Sequence, residues 1–245
     1  MYMSNQDVHS FAVVIPALNE EGTIAPIIES IRRFSNAAIY VVDDNSDDRT
    51  AEMARHAGAT VLPLTNRLGA WGAMQTGLRL AFREGHRLVV TMDADGQHDP
   101  AEIDSLIEPI LMDEADVCIG TWPARASWAR QMAWHLLRRT SGIGVQDLTS
   151  GFRAYGYKSL QLLVRWPATL LSYQDVGVLA MLTKDNLTLV SIETPMRPRT
   201  NGHSRIFETW THVIIYMLQS LILGLSKRPL TMAGHRLNTK RWEKS

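Results

Sequence analysis

The stretch Thr91-Met92-Asp93-Ala94-Asp95-Gly96-Gln97-His98-Asp99-Pro100 indicates an α/β fold, because an apolar run ends there in a cluster of carboxylates. The preceding residues 88–90, Leu-Val-Val, predict a buried strand, and a helical pattern follows over residues 101–112. A strand that ends in Asp-x-Asp and leads into a helix is typical of the edge where an α/β sheet binds its ligand.

The acidic pair in this stretch also has the composition of a cation site. Asp93 and Asp95 stand one residue apart, and the amide oxygen of Gln97 follows two residues later. These are hard oxygen ligands that suit Mg²⁺ or Mn²⁺. A short acidic cluster that caps a helix or solvates a turn is the alternative, and the rest of the chain has to decide between the two.

Composition predicts one globular domain with a substantial core, since 45% of the 245 residues are hydrophobic and 20% are charged. The single cysteine, Cys118, excludes an internal disulfide framework and favours a reducing compartment. The first ten residues lack the basic and then apolar layout of a signal peptide. A cytoplasmic location is therefore expected.

The formal net charge is zero, but the charges are divided unevenly along the chain. Residues 1–121 carry 19 Asp and Glu against 8 Lys and Arg, and residues 122–245 carry 6 against 17, so the two parts stand at −11 and +11. An acidic part suits a divalent cation, and a basic part suits phosphates or an anionic membrane surface. Nothing in the pattern indicates a nucleic-acid partner.

Strand and helix patterns alternate over the first half of the chain. Strands are expected at residues 11–16, 39–42, 60–64, 87–92 and 117–120, with helices between them that end near residues 33, 56, 83 and 112. The first of these helices is expected to start at residues 19–21. Such alternation predicts an α/β fold with a Rossmann-like, doubly wound and mostly parallel sheet. The acidic clusters after strands one, two and four should then share one edge of the sheet.

Five motifs in order resemble family 2 glycosyltransferases, in particular the dolichol-phosphate mannose synthase and polyprenyl-phosphate glycosyltransferase branch. They are Val14–Glu21, Val42–Thr50, Asp93–Pro100, Asp147–Arg153 and Arg199–Arg205, the last reading Arg-Thr-Asn-Gly-His-Ser-Arg. The resemblance implies a glycosyltransferase A type fold over residues 1–205, with a nucleotide-sugar half at 11–121 and an acceptor half at 122–205.

The resemblance also implies roles for individual residues. The nucleotide is expected at Pro16, Glu20, Asp43, Asp44, Gly69 and Asp93, and Mg²⁺ or Mn²⁺ at Asp93, Asp95 and Gln97. Relatives often read Asn-x-Gly-Lys-Gly near residue 69, but this chain has Asn66-Arg67-Leu68-Gly69-Ala70 and lacks the Lys.

Basic residues of the second half are expected to bind phosphates. Arg125, Arg130 and Ser204 are candidates for the acceptor phosphate, with a solvated helix face as the alternative for the two arginines. Arg199 and Arg205 are expected to close over the diphosphate, because guanidinium groups match phosphate oxygens.

Asp175 lies where many family 2 enzymes hold a general base. A sugar hydroxyl acceptor needs such a base, whereas a phosphate monoester with a second pKa of about 6 is mostly ionised and needs positioning instead. A carboxylate at a helix N-terminus is the alternative role for Asp175.

Residues 206–225 are the longest apolar stretch, within a predicted helix at 206–228, but Glu208, His212 and Gln219 interrupt it. A spanning helix needs about 20 largely uninterrupted apolar residues, so an amphipathic helix at the membrane interface is expected, or a helix packed on protein. Residues 229–245 form a basic tail. A homo-oligomer or a membrane-protein partner remains open.

The sequence therefore predicts a metal-dependent enzyme that moves a sugar from a GDP- or UDP-sugar to a polyprenyl phosphate, with inversion, at the cytoplasmic face of the membrane. A family 2 enzyme that glycosylates a saccharide is the first alternative. A non-catalytic nucleotide-sugar-binding protein at the membrane is the second.

Overall fold

The computed structural model describes residues 11–122, 150–170 and 176–197. Within these ranges seven strands form one sheet. They are β1 (Ala12–Ala17), β2 (Ala38–Asp43), β3 (Thr60–Pro63), β4 (Val89–Thr91), β5 (Val117–Thr121), β6 (Arg153–Tyr155) and β7 (Leu189–Glu193).

The order of the strands is β3-β2-β1-β4-β6-β5-β7. β1 pairs in parallel with β2 and β4, β2 with β3, and β5 with β7. β6 runs antiparallel to both of its neighbours, β4 and β5. The predicted α/β, mostly parallel sheet is confirmed, with a single antiparallel strand inserted among the described ones.

Seven α-helices accompany the described strands. They are α1 (Ile24–Phe34), α2 (Thr50–His56), α3 (Gly69–Arg83), α4 (Ile103–Leu111), α5 (Tyr157–Leu163), α6 (Trp166–Thr169) and α7 (Val176–Lys184), with a 3₁₀ turn, Pro100–Glu102, before α4.

Two apolar cores cover the two faces of the sheet, because successive strand side chains point to opposite sides. Val13 and Ile15 of β1 pack with α1, α2 and α4. Val14 of the same strand packs on the other face with α3, α5 and α7. Gly77 of α3 is required there, since a Cβ at this position would lie 2.4 Å from Val14 Cγ1. The helix therefore approaches the sheet closely.

The predicted boundaries differ from the observed ones mainly after β1. The helix expected from residues 19–21 begins at Ile24, because the backbone amides of residues 19–21 bond to side chains of the β2–α2 loop instead. The helix expected at 101–112 is divided into the 3₁₀ turn and α4.

No helix within the described ranges is long and apolar enough to cross a membrane. The expected amphipathic helix at 206–228 and the basic tail at 229–245 lie outside the described residues.

Candidate functional site

The candidate site lies where the strand order changes direction, between β1 and β4. The chain runs outward from β1 through β2 to β3 and then returns to the other side of β1 as β4. β4 pairs with β1 only as far as Val14, so residues 15–17 extend beyond it. Ligands of α/β sheets bind in the crevice at such a switch point. The acidic clusters after β1, β2 and β4 share this edge, as the sequence predicted.

Pro16 is compatible with its strand position because it lies past the last β1–β4 pair. A proline has no N–H to donate, and in mid-sheet it would break a ladder bond. Here it pairs in register with Val42 of β2 only. The half-buried Pro16 therefore lines the crevice edge without weakening the sheet.

Asp93, which follows β4, is in close contact with Gly151, which precedes β6. A Cβ placed on Gly151 would lie 2.3 Å from both carboxylate oxygens of Asp93. Nearby, Thr91 donates a hydrogen bond of 2.9 Å to the carbonyl of Gly151. The missing side chain at residue 151 thus makes the space that the Asp93 carboxylate occupies, and this side chain remains 40% exposed toward the crevice.

Asp95 is oriented by its own turn. Its Oδ1 accepts the backbone N–H of Gln97 at 3.0 Å, and Gly96 between them has φ +75°, a conformation that glycine adopts without strain. The turn leaves Asp95 and Gln97 half-buried at the end of β4. The structure therefore brings the three predicted cation ligands onto one short loop.

His98 is a site residue that the sequence analysis did not assign. It is 5% exposed, its ring centroid lies 5.0 Å from that of Phe152, and its Nε2 lies 3.7 Å from Oδ2 of Asp93. Its Nδ1 is buried and has no hydrogen-bond partner among the residues that the structure describes. The signal was present, since His98 belongs to the acidic motif. Its contact with Phe152 depends on β6, which was not predicted.

The chain after β7 returns to this loop. His98 forms an antiparallel bridge with Met196, and the N–H of Arg197 donates to the carbonyl of Gln97 at 2.8 Å. The Arg197 guanidinium also pairs with Asp99 at 2.5 Å. Two segments that are about 100 residues apart in sequence are thus joined at the site, and Arg197 precedes the predicted Arg199 by two residues.

The loops after β1 and β2 hold each other through reciprocal bonds. The N–H of Asn19 donates to Ser46 Oγ at 2.9 Å, and Asn19 Oδ1 accepts the N–H of Asp47 at 2.7 Å. The N–H of Glu20 donates to Thr50 Oγ1 at 2.7 Å. These bonds fix the predicted nucleotide residue Glu20 beside the β2 edge.

Thr23 connects the first loop to the acidic motif. Its hydroxyl lies 2.7 Å from the carbonyl of Ala94 and 2.9 Å from Oε2 of Glu20. Because Ala94 stands between Asp93 and Asp95, the start of α1 and the acidic loop are positioned together.

Asp43 and Asp44 have different environments although they are adjacent. Asp43 is 6% exposed, and its Oδ1 accepts the N–H of Ser46 at 3.2 Å. Asp44 is 4% exposed, and its two oxygens accept the N–H groups of Leu68 at 2.6 Å and Gly69 at 2.9 Å. Asp44 therefore caps α3, where a carboxylate meets the positive end of the helix dipole.

Gly69 has φ +75°, and no atom lies within 4 Å of the position of a Cβ. Its conformation, rather than crowding, requires glycine. The neighbouring Arg67, near the position where relatives carry a Lys, is held by an ion pair with Asp47 and by a bond of 3.4 Å to the carbonyl of Asn45. The loop is thus tied to the β2 edge of the site.

Asp48 titrates below the ordinary range of aspartate. Burial raises its pKa, but hydrogen bonds from Thr50 and from the backbone amide of Glu21 outweigh burial and leave the pKa lowered.

Arg153, on β6, is fully buried, and its Nε donates to the carbonyl of Ser150 at 2.8 Å. This bond braces the segment before β6, which includes the Gly151 that contacts Asp93.

Several predicted site residues lie outside the described residues. They are Arg125, Arg130, Asp175, Arg199, Ser204 and Arg205. Their roles stay predictions.

The described residues fit a divalent cation in the donor chemistry of Asp93 and Asp95 and in the space that Gly151 leaves for the first carboxylate. No group of three or more His, Cys, Asp or Glu side chains forms a closed metal site in the described parts of the chain. Magnesium sites commonly use one or two carboxylates and take their other ligands from phosphates and water. This edge matches that type.

Comparison with known proteins identifies the family. The family model of glycosyl transferase family 2 matches residues 12–169 of this chain. The chain is 30% identical over 166 residues to the polyprenol monophosphomannose synthase of Mycolicibacterium smegmatis. This match covers 61% of this chain and 62% of that protein. It is also 30% identical over 169 residues to the undecaprenyl-phosphate mannosyltransferase of Micrococcus luteus, covering 61% of this chain and 68% of that protein.

A third relative is the UDP-N-acetylglucosamine–dolichyl-phosphate N-acetylglucosaminyltransferase of Methanococcus voltae, 27% identical over 180 residues, covering 62% of this chain and 71% of that protein. The chain thus spans less than two thirds of the length of the mannose synthase, and about half of a formamido-arabinose transferase of Aeromonas hydrophila.

The fold is similar to that of glucosyl-3-phosphoglycerate synthase of Mycobacterium tuberculosis, solved with Mn²⁺, UDP-glucose and phosphoglyceric acid. The TM-score is 0.64 at 21% identity, and the match covers 89% of this chain and 79% of that one. The family match spans β1 to α6 and includes every described part of the acidic edge. The chain belongs to glycosyl transferase family 2.

Proposed function

We propose that the protein is a metal-dependent glycosyltransferase that moves a sugar from a nucleoside-diphosphate sugar to a polyprenyl phosphate, with inversion. The observation that carries the proposal is the convergence of Asp43, Asp93 and Asp95 at the switch point of the sheet. Relatives named for transfer to polyprenol, undecaprenyl phosphate and dolichyl phosphate support a lipid phosphate as the acceptor.

The chain's own residues have distinct tasks in this proposal. Glu20 and Asp43 accept hydrogen bonds from the nucleoside, on loops that are already fixed by reciprocal bonds. Asp93 and Asp95 hold the divalent cation, with Gln97 beside them. When bound, the cation supplies Lewis-acid stabilisation of the charge on the departing nucleoside diphosphate. Manganese or magnesium accompanies UDP in the structurally similar synthase.

The transfer itself needs little acid or base catalysis from the protein. A phosphate oxygen of the acceptor forms a bond to the anomeric carbon while the bond from that carbon to the diphosphate oxygen breaks. The acceptor phosphate is mostly ionised near neutrality, with a second pKa of about 6, so no proton has to leave it. Positioning is the main requirement, and Arg125, Arg130 and Ser204 are the proposed contacts of the acceptor.

Arg199 and Arg205 are proposed to contact the diphosphate. The support is the position of Arg197, two residues before Arg199 in the sequence, which is bonded to Gln97 and Asp99 on the acidic loop. Preorganised cations of this kind stabilise charge that develops on a leaving group.

The test is the release of nucleoside diphosphate from a panel of GDP- and UDP-sugars, with Mg²⁺, Mn²⁺ or EDTA, and with or without a short-chain polyprenyl phosphate. Release should require both the metal and the lipid phosphate. Asp95→Asn should lower the rate about 100-fold or more, whereas Asp104→Asn, an exposed carboxylate on α4, should leave it unchanged.

Two results would contradict the proposal. Release that ignores the lipid but responds to a saccharide acceptor would move the reaction to a hydroxyl nucleophile, and Asp175 would then be the base to test. Binding of the nucleotide sugar with no turnover under any condition would favour a non-catalytic binding protein.

A further inference from the structure

The two faces of the sheet carry opposite charge. The helices of one face and their flanking turns, residues 24–34, 50–56 and 100–114, contain seven Asp and Glu against three Arg. On the other face, residues 67–87 and 156–170, which include α3, α5 and α6, contain six Arg and Lys against one Glu. We call this second surface the basic face. The division of charge seen along the sequence is thus, in the described structure, also a division across the sheet.

Within the described residues, three cations of the basic face have no carboxylate partner. Arg67, Arg83 and Lys158 each form an ion pair, with Asp47, Glu84 and Asp116 respectively. For the other three cations, no carboxylate lies within 4.0 Å among the described residues. These three are Arg79, Arg87 and Arg165. The basic face therefore retains uncompensated positive charge at the surface.

The same surface exposes large apolar side chains. Trp166 and Leu170 are each 69% exposed, and Tyr157 is 38% exposed. Leu68, at the start of α3, is 55% exposed. Of the six large hydrophobic residues that are exposed within the described ranges, these four lie on the basic face. Scattered apolar residues are normal on a protein surface, but their concentration among unpaired cations is a feature of interaction sites.

Trp166 and Leu170 lie at the two ends of α6, which is held in place by hydrogen bonds from α3. Three side chains of α3 donate to main-chain carbonyls around α6: Trp71 to Ala168 at 2.9 Å, Gln75 to Leu163 at 2.8 Å, and Arg79 to Val164 at 3.0 Å. The bonds from Trp71 and Gln75 are buried, so they fix the position of α6 on α3 and with it the exposed residues Trp166 and Leu170. At the other end of the surface, Arg87 lies 4.4 Å above the ring of Tyr157, which is stacked on Phe82.

We propose that the basic face docks on an anionic lipid bilayer, with Trp166 and Leu170 in the headgroup region and the unpaired arginines against the lipid phosphates. Tryptophan and arginine are favoured at the membrane interface, where an aromatic ring lies among the headgroups and a guanidinium meets anionic lipid. Apolar side chains and cations bind such a surface together, through the burial of apolar area and through electrostatic attraction to the anionic lipids. The opposite face, with its excess of carboxylates, is repelled by the same lipids.

This docking gives the site an orientation. α3 begins at Gly69, where its N-terminus meets Asp44 at the acidic edge of the sheet. α6 is bonded to Trp71, in the first turn of the same helix. The apolar part of the basic face is therefore the end nearest to the candidate site, so a bilayer bound there lies beside the edge at which the nucleotide is proposed to bind.

The test uses the full chain and vesicles without nucleotide or acceptor. Flotation should recover the protein with vesicles of phosphatidylcholine and phosphatidylglycerol and not with phosphatidylcholine alone. Arg87→Gln with Arg165→Gln should weaken partitioning about 30-fold, since each basic residue near an anionic surface contributes about a fivefold gain. Trp166→Gln with Leu170→Gln should weaken it by at least about tenfold.

Matched controls lie on the opposite face of the sheet, which carries the excess of carboxylates. Phe34 and Met112 are 51% and 60% exposed there, so Phe34→Gln with Met112→Gln removes similar apolar area. Arg33→Gln with Arg55→Gln removes the same charge as the arginine pair. Neither control should change partitioning. Far-ultraviolet circular dichroism and thermal unfolding check that every variant is folded.

Site-specific labelling provides a second measurement. Leu170→Cys labelled with an environment-sensitive fluorophore should shift to the blue on addition of anionic vesicles, and Met112→Cys labelled in the same way should not. The label is selective because Cys118 is fully buried. Equal binding to neutral vesicles, equal loss in the controls, or no shift at residue 170 would each overturn the proposal. Because these experiments measure no sugar transfer, a negative result on membrane binding would leave the proposed transfer activity untouched.

Discussion

Replacement of Gly151 by alanine tests the geometry of the acidic edge most sharply. The new Cβ would lie 2.3 Å from both carboxylate oxygens of Asp93, more than 1 Å inside ordinary van der Waals contact. The backbone of β4 and β6 is fixed by pairing between Thr91 and Arg153, so the carboxylate has to move instead. Overpacking of this kind costs about 1–3 kcal/mol.

Two quantities should therefore fall in Gly151→Ala. The free energy of unfolding, measured by urea titration, should decrease by about 1–3 kcal/mol. The affinity for Mn²⁺ in the presence of nucleoside diphosphate, measured by electron paramagnetic resonance of the free ion, should decrease by about tenfold or more, because a ligand displaced by about 1 Å no longer meets the cation.

The control is a double-mutant cycle. Asp93→Ala removes the carboxylate that the new methyl group would strike, so Gly151→Ala should cost little additional stability in that background. A coupling free energy of about 1–3 kcal/mol is expected between the two positions. An equal stability loss with and without the Asp93 carboxylate would refute the contact, and unchanged Mn²⁺ affinity in Gly151→Ala would refute the role of that contact in the cation site.

Two buried hydrogen-bond acceptors and two groups with shifted pKa values can be tested in the same way. Asp44→Ala should lower the free energy of unfolding by about 2 kcal/mol, because two amides at the start of α3 lose a charged acceptor; the exposed Asp47→Ala is the control in chemical denaturation. Thr23→Val should cost about 1–2 kcal/mol by leaving the buried Ala94 carbonyl without its donor, and a native-state hydrogen-exchange experiment should show faster opening around residues 93–95. Asp48 has a lowered pKa in the folded state, so it stabilises the fold above the ordinary pKa of about 3.9 and loses that contribution as the pH falls through its folded value; the pH dependence of stability below pH 4 should be weaker in Asp48→Asn. Burial raises the pKa of Cys118 to about 12, so thiol reagents should label the native protein only as fast as it unfolds, and its stability should decline as the pH rises above about 9.

The sequence was sufficient for the first five strands and the acidic edge, since the apolar runs of β1, β2 and β4 end in recognisable polar clusters. It was insufficient for β6 and for β7. β6 has only three residues and is formed by its neighbours β4 and β5 rather than by its own pattern. β7 depends on a parallel partner, β5, that is about 70 residues earlier in the chain.

At the candidate site too, the contacts between segments that are distant in sequence were not predicted. The carboxylates of Asp93 and Asp95 were found from their spacing, and the chemistry of oxygen ligands was enough to propose a cation. The partners that shape them were not found. Gly151 matters because of a contact across two strands, and His98 because Phe152 packs on its ring. Asp44 was predicted to bind the nucleotide, and the sequence did not indicate its second role, which is to cap a helix that begins 25 residues later.

The most direct measurement of the central claim is identification of the transfer product. The purified full chain is incubated with each radiolabelled nucleotide sugar, Mn²⁺ and a short-chain polyprenyl phosphate, and the lipid phase is extracted and analysed by mass spectrometry. We expect a polyprenyl phosphate that carries one sugar, formed together with an equal amount of nucleoside diphosphate and absent with Asp95→Asn. Nucleoside diphosphate released with the sugar left free or attached to a saccharide, and none on the lipid, would contradict it.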